Sequence, residues 1–140
     1  MITALSASES HELLRSGRIA RLGCVIDGEP YVVPVNYFIE GEYAYVHSLP
    51  GRKVEALRAH PRACLQFDEI KDYVDWRSVL AYGTYEEIKS PDERARILNA
   101  FSKHFPLLTP VESTVIQDAT PPAVIAFRLR LDSVTGVKEG

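Results

Sequence analysis

Cysteine, long apolar runs and surplus positive charge are all scarce in this chain, and each shortage excludes a class of protein. Its 140 residues include only two cysteines, Cys24 and Cys64, forty positions apart and outside any CxxC or Cys/His ligand spacing. A disulfide scaffold and a zinc module are thereby excluded. Both thiols lie in apolar runs, Leu22-Gly23-Cys24-Val25-Ile26 and Ala63-Cys64-Leu65, which predicts buried, reduced core cysteines in a cytoplasmic protein. No window approaches the roughly 18 apolar residues of a membrane span, and residues 1–10 lack the regions of a secretory leader, so neither membrane nor export is expected. With 16 basic against 19 acidic side chains and a net charge of −3, there is no cationic excess for nucleic acid or an anionic membrane. A local anion site is still compatible with that balance. Catalytic signatures are missing too. There is no GxSxG elbow, HExxH pair, Walker loop or GxGxxG, and His11, His47, His60 and His104 fall in separate elements without metal-ligand spacing.

What is present is a mainly β pattern on a chain long enough to build its own core, read as one domain over residues 1–140. Ser6-x-x-Glu9 opens a short helix that Gly17 stops. The period then changes to two over residues 18–26 and 29–40, joined by the hairpin dipeptide Asp27-Gly28, and a turn at Gly41 leads to a third strand, Tyr43 to Ser48. Arg52 to Ala59 reads as a helix of about two turns closed by His60-Pro61. A strand follows over residues 62–68, then a polar connection over 69–75 and a long strand from Trp76 to Ile88, where Gly83 marks a bulge or a close backbone approach. Ser90-Pro91-Asp92-Glu93 caps a further helix that ends before Pro106. Beyond a loop with four prolines, residues 123–131 alternate as a last strand and residues 133–140 read as a polar tail. Hairpin connections without βαβ alternation predict an antiparallel sheet or barrel with short helices at its ends.

The segment His47-Ser48-Leu49-Pro50-Gly51-Arg52-Lys53 holds the strongest chemical signal. Two cations in a helix's first turn oppose its dipole by about 0.3–1 kcal/mol each unless an anion offsets them. A phosphate accepting from the backbone at Gly51 and neutralised by Arg52 and Lys53 accounts for the placement; two solvated surface charges are the bland alternative. Alternation puts Tyr43, Tyr45 and His47 on one strand face, where a flat aromatic cofactor could lie, and Ser48 on the other, toward the following loop. Pro34 removes a ladder donor beside Asn36, which frees backbone groups for a ligand or simply marks an edge strand.

The run from Tyr45 to Phe67, through His47-Ser48, Arg52-Lys53 and His60-Pro61, resembles the flavin-binding core of the pyridoxamine 5′-phosphate oxidase superfamily, and Trp76 to Gly83 resembles its next strand. The branch most like it is that of the nitroimidazole-resistance flavoproteins, which carry a histidine where His47 stands. The resemblance implies an antiparallel split β-barrel of six or more strands that works as a homodimer, with FMN at the subunit interface. It implies that Arg52 and Lys53 bind the FMN phosphate, and that His47 and Ser48 line the ribityl and phosphate side, His47 also being a candidate to contact substrate. It further implies that Val35, Asn36 and Tyr37 present main-chain groups to the isoalloxazine edge, and that Ser78, with Trp76 beside it, reaches the cofactor from the partner subunit. The tryptophan- and arginine-bearing closing segment of pyridoxamine phosphate oxidases is absent: here the chain closes with Phe127 to Gly136. A flavin reductase or nitroreductase-like role on a small molecule is therefore expected. Non-catalytic flavin binding, and a split barrel holding haem or a deazaflavin, are the alternatives.

Overall fold

A computed structural model describes residues 1–105 and 124–140. Its elements are β1 (Ile2–Ala4), α1 (Ala7–Ser16), β2 (Ile19–Ile26), β3 (Glu29–Glu40), β4 (Tyr43–Ser48), α2 (Arg52–Ala59), β5 (Arg62–Asp72), β6 (Asp75–Glu87), α3 (Pro91–His104) and β7 (Ile125–Glu139). The strands join in the order β1-β7-β4-β3-β2-β5-β6, and β6 pairs again with β7, so the antiparallel sheet closes on itself as a split barrel. Closure leaves the interior faces with no solvated side. Ala20, Leu22, Val46, Leu65, Val79, Ala81, Phe127 and Leu129 fill it, each fully or almost fully buried.

Local chemistry sets these elements. Ser6 accepts from the Glu9 N–H at 3.1 Å while Glu9 accepts from the Ser6 N–H at 3.0 Å, a complete capping box at α1. Asp27 and Gly28 take φ of 52° and 80°, as a two-residue hairpin turn requires. At Gly83 the β6–β7 register slips, and a Cβ there would sit 2.9 Å from the Arg130 carbonyl oxygen, so only glycine fits the bulge.

Three sequence expectations are corrected. The polar tail is strand: Ser133 to Glu139 continue β7 and pair with Trp76 to Tyr82 of β6, Val137 to Glu139 also accepting β1 on the other edge. Paired backbone on both edges outweighs the weak β-propensity of this polar stretch. The connection over residues 69–75 is mostly ladder, with Glu69↔Arg77 and Ile70↔Trp76 paired, because the salt bridge Arg77–Glu69 satisfies charges that read as a loop. Cys64 is not a core thiol: Cys24 points inward and is buried, while Cys64, one register position out of phase, stands half-exposed on the outer face. The proline-rich loop and the start of the last strand at residue 123 lie outside the described residues. No helix among the described residues is long and apolar enough to cross a membrane.

The outer surface of the barrel has two unlike parts. α3 covers one, packing Ile97 and Phe101 onto Phe38, Tyr45 and Ala126. The other, over β2, the first half of β3, β5, β6 and the end of β7, is left bare by the described residues and carries Ile19, Val25, Val32, Tyr82 and Val137, all between 40% and 67% exposed. The ladder registers place these residues on one face of the sheet, with Gln66 and Ser78 among them.

Candidate functional site

The barrel splits between β3 and β4. β3 pairs with β2 from Glu29 to Asn36 and with β4 only from Tyr37 to Glu40, while β4 continues past Val46 against β7 as far as Ser48. From Asn36 back to Glu29, then, the edge of β3 that would face β4 is open. Which backbone groups point there follows from parity. The Tyr37 N–H donates to the Arg18 carbonyl at 3.0 Å, so residues 35, 33 and 31 bond toward β2, and residues 36, 34, 32 and 30 point their backbone groups to the open edge. Two of those four are prolines, Pro30 and Pro34. They have no N–H to leave unpaired, which both tolerates the split and blunts the edge. At the fork itself the Tyr37↔Val46 rung engages the Asn36 carbonyl with the His47 N–H, so Asn36 keeps its outward N–H, and Val32 is the other non-proline position on the open edge.

The neighbours of Asn36 look elsewhere. Val35 and Tyr37 are buried in the barrel core, and the Tyr37 hydroxyl donates to the Leu14 carbonyl oxygen at 2.5 Å, closing the C-terminal turn of α1. Burial drives that phenol well above the usual tyrosine value, so it stays a donor.

β4 delivers His47 and Ser48 to opposite sides. His47 is 7% exposed and lies flat on Phe101 of α3, with ring centroids 4.2 Å apart and 16° between planes. The flat ring on this aromatic face is therefore the protein's own. The sequence pattern on β4 could not reveal that cover, because it comes from an apolar stripe some fifty residues later, Ile97 and Phe101. Ser48 is equally buried on the barrel side, where its hydroxyl donates to the Leu49 carbonyl at 2.9 Å.

From Ser48 the chain turns through Leu49-Pro50-Gly51 into α2. Val54 and Leu57 anchor this helix against the barrel, and Gly51 at its start offers no side-chain cap. The free N–H groups of the first turn thus have no protein partner of the kind Ser6 and Ser90 supply at α1 and α3. Lys53 is half-buried beside Cys24, and no carboxylate of the described residues comes within ion-pair distance of it. Desolvation pulls its ammonium below the ordinary lysine value. Arg52 extends into solvent and reaches Asp27 Oδ2 at 3.3 Å. That lysine also corrects the purely apolar setting expected for Cys24. Burial still dominates and pushes the thiol up, away from nucleophile chemistry.

Ser78 and Trp76 sit elsewhere, on the bare outer face of β6, where Gln66 Nε2 donates to Ser78 Oγ at 3.0 Å and to Asp68 Oδ2 at 2.9 Å. Within one chain Asn36 ends the β2–β3 pairing at the split, Ser48 ends β4 and leads through Leu49-Pro50-Gly51 to Arg52 and Lys53 at the start of α2, and Ser78 and Trp76 lie on β6. Sequence reasoning missed Asp27, the partner of Arg52, and the groove that α2 shares with the β2–β3 hairpin. A signal for the groove existed, since Arg52, Glu55, Ala56, Ala59 and His60 recur at helical spacing on the side of α2 away from Val54 and Leu57.

Known proteins agree with this architecture. A FAD-binding protein of Mesorhizobium loti is 33% identical, with 100% of this chain and 99% of that one covered at a TM-score of 0.82. A candidate 5-nitroimidazole antibiotic resistance protein of Bacteroides thetaiotaomicron shares the fold at 20% identity and a TM-score of 0.76, over 99% of this chain and 87% of that one. The flavocytochrome Anf3 of Azotobacter vinelandii shares it at 24% identity and a TM-score of 0.72, over 96% and 67%. In sequence, an uncharacterized protein of Rhizobium meliloti (strain 1021) is 34% identical over 87 residues, a match spanning 62% of this chain and 58% of that protein. The family model for pyridoxamine 5′-phosphate oxidase matches residues 6–138, nearly the whole chain, which therefore belongs to that family.

Proposed function

We propose that this protein is a flavin-dependent oxidoreductase, of the flavin reductase or nitroreductase-like kind, that holds FMN with its phosphate on the start of α2. One observation carries the reading: a half-buried lysine without a carboxylate partner among the described residues, next to a helix start without a side-chain cap. Burying an ammonium without a counter-charge is costly, and a phosphate ester supplies both the charge and the acceptors for the first-turn N–H groups. The residues fit the group. Lys53 would neutralise it, and Arg52 is easily recruited, because an exposed ion pair such as that with Asp27 is worth at most about 1 kcal/mol. The outward backbone of Asn36 would meet the polar edge of the isoalloxazine, and Ser48 would close the ribityl side. When bound, the flavin supplies hydride and single-electron transfer, while the protein binds, orients and excludes water. His47, stacked under α3, would hold the wall beside the site and contact substrate only at its edge.

The same reading includes a homodimer. The bare apolar face is of the kind that marks a protein interface, and pairing it with a second copy would carry Ser78 and Trp76 toward a partner's flavin. The FAD-binding relative supports a flavin.

Purified protein supplied with FMN should show a protein-bound flavin spectrum that a nicotinamide donor bleaches, with turnover of quinones, nitro compounds or free flavin. A flavin spectrum without turnover would make it a non-catalytic binding module. A haem or deazaflavin spectrum, or none, would end the FMN reading.

A further inference from the structure

A polar cluster crosses the bare outer face from β2 to β6. Arg21 Nη1 lies 3.4 Å from Asp68 Oδ2. Gln66 Nε2 donates to that same oxygen at 2.9 Å and to Ser78 Oγ at 3.0 Å. The registers make these groups neighbours, with Arg21 opposite Gln66 on one ladder and Asp68 opposite Ser78 on the next. Around them the face is apolar, with Ile19, Val32, Tyr82 and Val137 exposed. The hydrogens of the cluster can be assigned from its chemistry. A carboxylate beside a guanidinium only accepts, so the Gln66 amide must turn an N–H toward Asp68 and not its carbonyl oxygen. The second hydrogen of the same nitrogen then goes to Ser78 Oγ, which accepts it. A serine hydroxyl carries one hydrogen of its own, and no described residue accepts the one on Ser78.

We infer that Arg21, Asp68 and Gln66 are positioning residues that make Ser78 a hydrogen-bond donor to the isoalloxazine held by a second copy of the chain, where it meets a ring nitrogen or carbonyl oxygen and not the ring N–H. The inference rests on the flavin and homodimer reading above. What it adds is the direction of the contact and the residues that set it. Covering this face with a second copy takes water from the Ser78 hydroxyl, and a buried hydrogen without an acceptor is costly. Its apolar neighbours offer none, so the acceptor must come from what the second copy carries. Excluding water also strengthens each hydrogen bond of the relay, from Arg21 through Asp68 and Gln66 to Ser78. Without Gln66, the Ser78 hydroxyl would turn its hydrogen to Asp68, the acceptor directly across the ladder, and the donor would be lost.

The test is titration with FMN, with the absorption spectrum of the bound flavin and the sedimentation of the complex recorded alongside. It is run on the native chain, Ser78→Ala, Gln66→Met, Gln66→Glu and the combination of Ser78→Ala with Gln66→Met. Ser78→Ala should weaken FMN about two- to tenfold, the worth of one hydrogen bond, and shift the flavin absorption band. Gln66→Met should reproduce both effects with the serine still present. Gln66→Glu, whose carboxylate takes the Ser78 hydrogen for itself, should do the same. In the Ser78→Ala background Gln66→Met should cost nothing more, whereas a glutamine that only supported the sheet would be missed there as well. FMN binding and spectrum unchanged in Ser78→Ala, losses that add in the combination, or a native chain that binds FMN as a monomer overturns the inference and leaves the phosphate site standing. No binding of FMN to the native chain overturns both.

Discussion

The starts of α1 and α3 differ from the start of α2 in two respects, the side-chain cap and the cations of the first turn, while all three carry a carboxylate there. Ser6 and Ser90 cap the first two with their hydroxyls, and Glu9, Asp92 and Glu93 place negative charge in the first turn. α2 begins at Gly51 without a side-chain cap and with Arg52 and Lys53 as its first residues. Two helices are finished by the protein itself. The third lacks that cap, and Lys53 beside it is partly desolvated, which is what the proposed phosphate site would use. A helix start that looks badly built for stability is a place to test for a ligand, because an anion bound there would satisfy its N–H groups and the half-buried Lys53.

The comparison breaks most visibly if the α2 cations are removed. Arg52→Ala with Lys53→Ala should cost about 3 kcal/mol of FMN binding, the worth of one or two charge-assisted hydrogen bonds, and leave riboflavin, which lacks the phosphate, nearly unaffected. Isothermal titration of both ligands checks this. A smaller effect is expected from pH. Only the charged ammonium of Lys53 attracts a phosphate, and burial has lowered its value in the free site. FMN affinity should therefore be complete at neutral pH and fall as pH rises, beginning below the ordinary lysine value, by about 1.5–2 kcal/mol for one charged hydrogen bond. Riboflavin should show no such fall. At the conventional helix starts, Ser6→Ala or Ser90→Ala should lower folding stability by about 1 kcal/mol in denaturant titrations, with flavin affinity intact. The smallest effect comes from giving α2 the cap it lacks. Gly51 has extended backbone and open space around its Cβ position, so Gly51→Ser should stabilise the apoprotein by a few tenths of a kcal/mol and weaken FMN, since the hydroxyl competes for the same N–H groups.

Much of this was legible beforehand, for definite reasons. Asp27-Gly28, the two serine caps and the alternation of β2 to β4 are local signals, and local signals set local geometry. The Arg52-Lys53 pair also stood out locally, as a violation of the helix-dipole rule. What stayed hidden depended on distant partners. Ser133 to Glu139 look like a solvated tail until β6 and β1 are found on either side of them. The aromatic face of β4 looks open until Phe101 is laid on His47. The fork at Asn36 needs the register of three strands at once, although Pro30 and Pro34, four residues apart and so of the same parity, both facing the open edge, are its trace in the sequence.

The measurement that tests the central claim most directly is a paired titration of the apoprotein with FMN and riboflavin, read by flavin fluorescence. Preference for FMN by about two orders of magnitude, abolished in the Arg52→Ala, Lys53→Ala double variant, is the predicted result. Equal affinity for the two, or a preference that survives the double substitution, would contradict it.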